Sequence, residues 1–112
     1  MRRGEIWWAS TGRPSGSAPG YRRPAVIISA NSFNATALKT VIVAFFTTSD
    51  RRARDPGNVE LPAKSTGLPQ NSILNVTQLA TLDRRTLTER VGRVPDQLMR
   101  DVDASLRLVL AL

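Results

Sequence analysis

Apolar positions along this chain come in short bursts at strand spacing, with a single stretch at helical spacing near the end. Gly4-Glu5-Ile6-Trp7-Trp8-Ala9 mixes β-branched and aromatic side chains and predicts a first strand. Ser10 to Gly20 then holds three Gly, two Pro, three Ser and a Thr. A polar connection of that length is where function often resides. Ala25 to Ser29 predicts a second strand, and Asn31 to Asn34 a turn or single helical turn. Thr40 to Thr47 is the strongest strand signal, and its unbroken apolar run predicts burial on both faces. After the charged, turn-rich Arg51 to Gly57, Asn58 to Leu61 reads as a short strand and Lys64 to Pro69 as a loop. Ser72 to Gln78 follows as a strand, Asp83 to Leu87 as a short helix and Gly92 to Val94 as a brief last strand.

Beyond Pro95, Leu98, Val102, Leu106 and Val109 recur at helical spacing, flanked by Met99 and Leu110. Arg100, Asp101, Asp103 and Arg107 fall off that stripe, so an amphipathic helix is expected to close the core. Many short strands and one closing helix predict a mainly β, α+β fold: a small, partly open barrel forming one domain over residues 1–112.

One junction stands out within this pattern. In Tyr21-Arg22-Arg23-Pro24, two guanidinium groups directly precede a proline and then an apolar run. Pro24 fixes its own φ and pushes Arg23 towards extended backbone. Arg23 is therefore expected at the mouth of a strand, as a positioned charge. On these residues alone, a pair of solvated surface charges is the competing reading.

Composition narrows the chemistry. The chain has neither cysteine nor histidine. Thiolate chemistry, a Ser-His pair, imidazole acid–base catalysis and the usual zinc sites are thus excluded. Catalysis would have to use carboxylates, hydroxyls, amides, Lys or Arg, and no cofactor or metal is expected. The net charge of +7 favours a polyanionic partner, nucleic acid first and an acidic protein segment second. The longest apolar run, Val41 to Phe46, is too short to span a bilayer, and Arg2 and Arg3 are not followed by a signal-peptide core. No membrane association is expected, and the cytoplasm is the expected location.

The order and spacing of several segments together carry a family resemblance. These are Arg3-Gly4-Glu5-Ile6-Trp7, Gly16-Ser17, Arg23-Pro24-Ala25-Val26-Ile27-Ile28-Ser29, Asn34 and the Val43–Thr48 strand end. Pro56-Gly57-Asn58-Val59, Gly67-Leu68, Ser72-Ile73, Gln78-Leu79-Ala80-Thr81-Leu82-Asp83 and Val91-Gly92-Arg93-Val94 continue it. Over nearly its whole length the chain resembles the MazF/PemK (Kid)-type toxins of type II toxin–antitoxin systems. The resemblance implies an SH3-like barrel, a homodimer, and sequence-specific, metal-independent cleavage of single-stranded RNA. It also implies neutralisation by a cognate MazE-like antitoxin that threads an acidic, partly disordered segment through the RNA site. Matched residue by residue, it assigns catalysis to Arg23 and Thr47. Gln78 falls near the RNA groove, and Arg22, Thr48, Arg51 and Arg52 are expected as further RNA contacts. Many members carry a glutamate where this chain has Ala18.

The residues fit that chemistry. When the RNA's own 2′-hydroxyl attacks phosphorus, the protein need only align it, stabilise phosphorane charge and assist the leaving oxygen. A guanidinium such as Arg23 suits the second task. Thr47 can hydrogen-bond the phosphate or 2′-hydroxyl, or simply bond locally as a strand residue. The proton acceptor stays open between a substrate oxygen, water and a carboxylate such as Asp50. Arg51, Arg52 and Arg54 either grip flanking phosphates or form a solvated loop face. Trp7 and Trp8 point to opposite faces, one expected in the core and the other stacking on a base or packing at a dimer interface, with interface or core favoured. Arg84 and Arg85 are expected at the surface. A CcdB-like topoisomerase poison and a non-catalytic nucleic-acid-binding barrel are the alternative functions.

Overall fold

A computed structural model describes residues 1–10, 22–47, 51 and 55–112. Among them, six antiparallel strands form one sheet in the order β4-β5-β3-β2-β1-β6. The strands are β1 (Glu5–Ser10), β2 (Arg22–Ile27), β3 (Thr40–Thr47), β4 (Val59–Leu61), β5 (Ser72–Asp83) and β6 (Leu87–Arg93). Short helices α1 (Asn31–Asn34) and α2 (Ala63–Thr66) interrupt them, and α3 (Asp96–Leu110) ends the chain. The sheet curls into a half-barrel because its two ends meet. The carbonyl oxygen of Thr66, just after edge strand β4, lies 2.7 Å from where a Cβ on Gly92 of edge strand β6 would stand. Only a glycine permits that approach.

Both faces of the sheet are packed. The larger core joins Ile6, Val26, Ala44, Phe46, Leu74 and Val76 to Val102 and Leu106 of α3. The helical stripe read from the sequence is thus the face that α3 buries. Gly57, at φ +84°, lets the chain pass under α3: a Cβ there would stand 2.8 Å from Val109 Cγ2. Arg3 ties the N-terminus down by donating from Nε to the Ile28 carbonyl at 2.6 Å and meeting Asp103 Oδ1 at 2.8 Å. The second contact is a charge pair rather than an aligned hydrogen bond. The smaller core, on the opposite face, contains Ala9, Ala25, Ile27, Val43, Phe45 and Leu87.

Several expected elements change in extent. β2 begins at Arg22, not Ala25, because Ser10 and Ala9 pair with Arg22 and Arg23. The β3 ladder on its other side starts only at Ala25. Pro24 therefore sits where β2 has a single neighbour and a missing N–H is tolerated. β5 runs on to Asp83 and β6 starts at Leu87, joined by the 3₁₀ turn Arg84–Thr86 where a helix was expected. The polar residues Thr88, Glu89 and Arg90 hid β6, an edge strand with an exposed face. α2 forms where a loop was read. β3 is buried on both faces from Val43 to Phe46, but Ile42 remains 43% exposed. Arg84 is no free surface charge: its guanidinium donates to the carbonyls of Leu38 and Asn34.

Candidate active site

Strands β2 and β3 bring Arg23 and Phe45 together on the face of the smaller core. Ala25 is the cross-strand partner of Phe45. Arg23, two residues earlier, is its diagonal neighbour. The guanidinium carbon sits 4.6 Å from the Phe45 ring centroid. Nη2 donates to the Phe46 carbonyl at 3.2 Å and to Gln78 Oε1 at 2.8 Å. A guanidinium carries five N–H donors. Both Nη2 hydrogens are committed, while the Nε and Nη1 hydrogens have no partner among the described residues. The side chain is half-buried, stacked and pinned. The strand-mouth charge read from the sequence is one held inside the ladder by a neighbouring strand.

Thr47 lies two residues beyond Phe45 on β3, hence on the same face, and pairs with Ile73. It is half-buried and directly follows the carbonyl that Arg23 grips.

Gln78 reaches this face through a bulge. Ala44 pairs with Leu79 and Phe45 with Asn75, so Val76, Thr77 and Gln78 are extra residues on β5. Val76 turns into the larger core, and its N–H donates to Asn58 Oδ1 at 3.2 Å. Thr77 and Gln78 are exposed.

Asn75 was not singled out in the sequence. It sits directly across from Phe45, only 7% exposed. Leu74 and Val76 belong to the opposite core, so alternation turns Asn75 towards the face of Arg23 and Thr47. Its Oδ1 accepts the Thr77 hydroxyl at 2.8 Å. Its Nδ2 donates to nothing among the described residues. The available signal was one amide inside the apolar run Ile73-Leu74-Asn75-Val76.

The other expected contacts fall elsewhere. Arg22 points to the opposite face, with its guanidinium 5.0 Å from the Trp8 ring and Nη2 3.1 Å from Glu89 Oε2. It is not brought to Arg23. That stack also covers one side of Trp8. Trp7 is half-buried against the smaller core and donates Nε1–H to Glu5 Oε1 at 3.1 Å. Burial pushes the Glu5 carboxyl up, but the Arg2 backbone N–H, this indole, Arg90 and the N-terminus outweigh it. The carboxyl ends below its ordinary value. Arg51 is exposed. Thr48, Arg52, Arg54, Asp50, Ala18 and the Gly16-Ser17 segment lie outside the described residues. Among the described residues, no group of three or more Asp, Glu, His or Cys could hold a metal ion.

Away from this face, Phe33, Leu38 and Ile42 are exposed and border a hollow of about 380 Å³ at the end of β3. None of the nine residues lining the hollow is charged.

Comparison with known proteins adds to this geometry. Residues 2–110 match the family model described as PemK-like, MazF-like toxin of type II toxin-antitoxin system. The chain is 51% identical to endoribonuclease MazF6 of Mycobacterium tuberculosis, covering 100% of this chain and 98% of that one. It is 33% identical to endoribonuclease EndoA of Bacillus subtilis, covering 100% and 96%. Among solved structures, it resembles an endoribonuclease in complex with its cognate antitoxin from a mycobacterial species. There the TM-score is 0.81 at 22% identity, covering 100% of this chain and 96% of that one. A MazE–MazF crystal structure from Deinococcus radiodurans matches with a TM-score of 0.80 at 23% identity, covering 100% and 96%. These structures share the curled sheet and terminal helix described above.

Proposed function

The chain belongs to the PemK-like, MazF-like toxins of type II toxin–antitoxin systems, and on that premise we propose that it is an endoribonuclease. It cuts single-stranded RNA at defined sequences, so inhibiting translation and growth until a cognate antitoxin neutralises it. The observation that carries this reading is the pinned Arg23 guanidinium, whose Nε and Nη1 donors have no partner among the described residues, on the face that Thr47 shares.

The reaction needs no nucleophile from the protein. The substrate 2′-oxygen loses its proton and bonds to phosphorus, the P–O5′ bond breaks, and O5′ leaves with a proton. A 2′,3′-cyclic phosphate and a 5′-hydroxyl result. Arg23 donates to the non-bridging oxygens, whose charge grows towards the pentacoordinate state. A single pre-placed donor of this kind supplies about 3–4 kcal/mol. Because the arginine is already stacked and bonded, little of its rotamer entropy remains to be lost. Thr47 orients the phosphate or the 2′-hydroxyl, and Gln78 holds Arg23. Arg51, with Thr48 and Arg52, serves flanking phosphates, whereas Arg22, expected with them, faces away.

The proposed partners follow from charge and surface. A chain of net charge +7 favours RNA and an acidic antitoxin segment competing for the same face. Such a chain repels itself, so two copies associate best through an uncharged patch. The hollow bordered by Phe33, Leu38 and Ile42 is of that kind, and it supports a homodimer formed there. Among the described residues, no helix is long and apolar enough to cross a membrane. We place the activity in the cytoplasm, where its RNA is. Family membership does not favour the topoisomerase-poison or purely binding alternatives.

The test is cleavage of a mixed-sequence RNA in excess chelator by wild type and Arg23→Ala, with the DNA strand as control. Discrete cuts with cyclic-phosphate ends, absent on DNA and lost in the variant, are expected. A folded wild type that leaves RNA intact would overturn the reading.

A further inference from the structure

We propose that Asn75 is a second, neutral donor to the scissile phosphate, its Nδ2 hydrogens meeting a non-bridging oxygen that Arg23 does not hold. This rests on the site being a phosphodiester-cleaving one.

Four observations lead there. Asn75 is nine-tenths buried in the middle of β5. Its Nδ2 donates to no described group and is not a sealed atom, so this end of the amide opens to solvent and to a ligand. Register puts it directly across from Phe45, the ring on which Arg23 lies. The two donors thus flank one aromatic floor, on the face that also carries Thr47. Finally, the amide is oriented. Thr77 donates its hydroxyl hydrogen to Oδ1, which holds that end of the amide and leaves Nδ2 without a partner among the described residues.

A solvent-facing donor on the same face as a guanidinium is suited to an anion and unsuited to a second cation. Its neutrality matters as well. An uncharged N–H adds stabilisation as charge develops without binding the ground-state anion as strongly as another arginine would.

The experiment uses a short RNA spanning one mapped cut, with that linkage as phosphate or as either separated phosphorothioate diastereomer. Sulfur is a poor acceptor, so each diastereomer reports the donors to one non-bridging position. Under single-turnover conditions in chelator, wild type is expected to slow on both. Asn75→Leu is expected to cut the all-oxygen RNA about 100-fold more slowly, as for a lost oxyanion donor. It should also lose the sulfur penalty at one diastereomer while keeping the other. An Asn75→Leu protein that cuts at the wild-type rate, or is slowed with both sulfur penalties intact, overturns the proposal. If that variant does not fold, the exposed Thr77→Val decides. With the amide released, about a 10-fold slower reaction is expected, with a weakened penalty at the same diastereomer. Wild-type behaviour there overturns the proposal. A wild type inactive on all-oxygen RNA would instead refute the ribonuclease reading itself.

Discussion

Arg23 on β2 donates to Gln78 on β5 at 2.8 Å, although β3 lies between the two strands. The bond passes over Phe45 and exists because the Val76–Gln78 bulge supplies residues beyond those the ladder pairs. Gln78 is therefore a positioning residue for the proposed catalytic arginine.

Replacing Gln78 with Leu removes one of the two Nη2 acceptors and leaves the Phe46 carbonyl as the other. The expected result is about a 10-fold fall in kcat with little change in KM, since a loosened donor is lost mainly in the transition state. Arg23→Ala is expected to lose about 100- to 1,000-fold. The double variant should be no slower than Arg23→Ala, because the two residues act as one unit. Additive losses would separate their roles.

Arg23→Lys is expected to rescue little. A lysine ammonium keeps the charge but loses the planar fork that stacks on Phe45 while engaging Phe46 and Gln78. Kinetics on one RNA, with circular dichroism as a fold control, would check this. Activity within about 3-fold of wild type would mean that charge alone suffices.

Gly57→Ala should destabilise the fold by about 1–3 kcal/mol. The glycine has φ +84°, and the new methyl would press on Val109 Cγ2 at 2.8 Å and Val76 Cγ2 at 3.1 Å. α3 would lift or the turn would strain. Urea unfolding measures the loss, and an unchanged midpoint would contradict the packing.

Stability should depend on Glu5 in acid. Its folded carboxyl is depressed below the ordinary 4.5 by contacts that outweigh its burial. That contribution is complete above 4.5 and falls away as pH drops through the folded value. Glu5→Gln should lower stability at neutral pH by at most about 1 kcal/mol after solvent screening. It should also flatten the acid limb of a stability–pH curve. An identical limb in both proteins would assign the dependence to other carboxyls.

Phe33→Asp puts a charge on an exposed residue of the uncharged hollow, outside the sheet. If two copies meet there, the dimer dissociation constant should rise at least about 100-fold, since an unpaired carboxylate is buried on association. Sedimentation at graded concentrations reads it, and an undisturbed dimer would place the interface elsewhere.

The pattern of residues alone was enough for much of this molecule. The apolar runs at Ile6–Ala9, Ala25–Ile27, Val41–Phe46 and Ser72–Val76, with the helical stripe from Leu98 to Val109, specify a curled antiparallel sheet closed by a helix. Burial periodicity is local, so it is written locally. The Arg22-Arg23-Pro24 junction likewise marked Arg23, because proline constrains its neighbour through covalent geometry. What tertiary structure alone decided is which groups meet. Strand alternation separates the adjacent Arg22 and Arg23 onto opposite faces, one to Glu89 and Trp8, the other to Phe45. A bulge carries Gln78 across a strand, and cross-strand register sets Asn75 against Phe45. Register and bulges depend on pairings between residues far apart in the chain, where a one-residue slip reverses every side chain. The sequence names the participants, but only those long-range pairings determine which of them share a face.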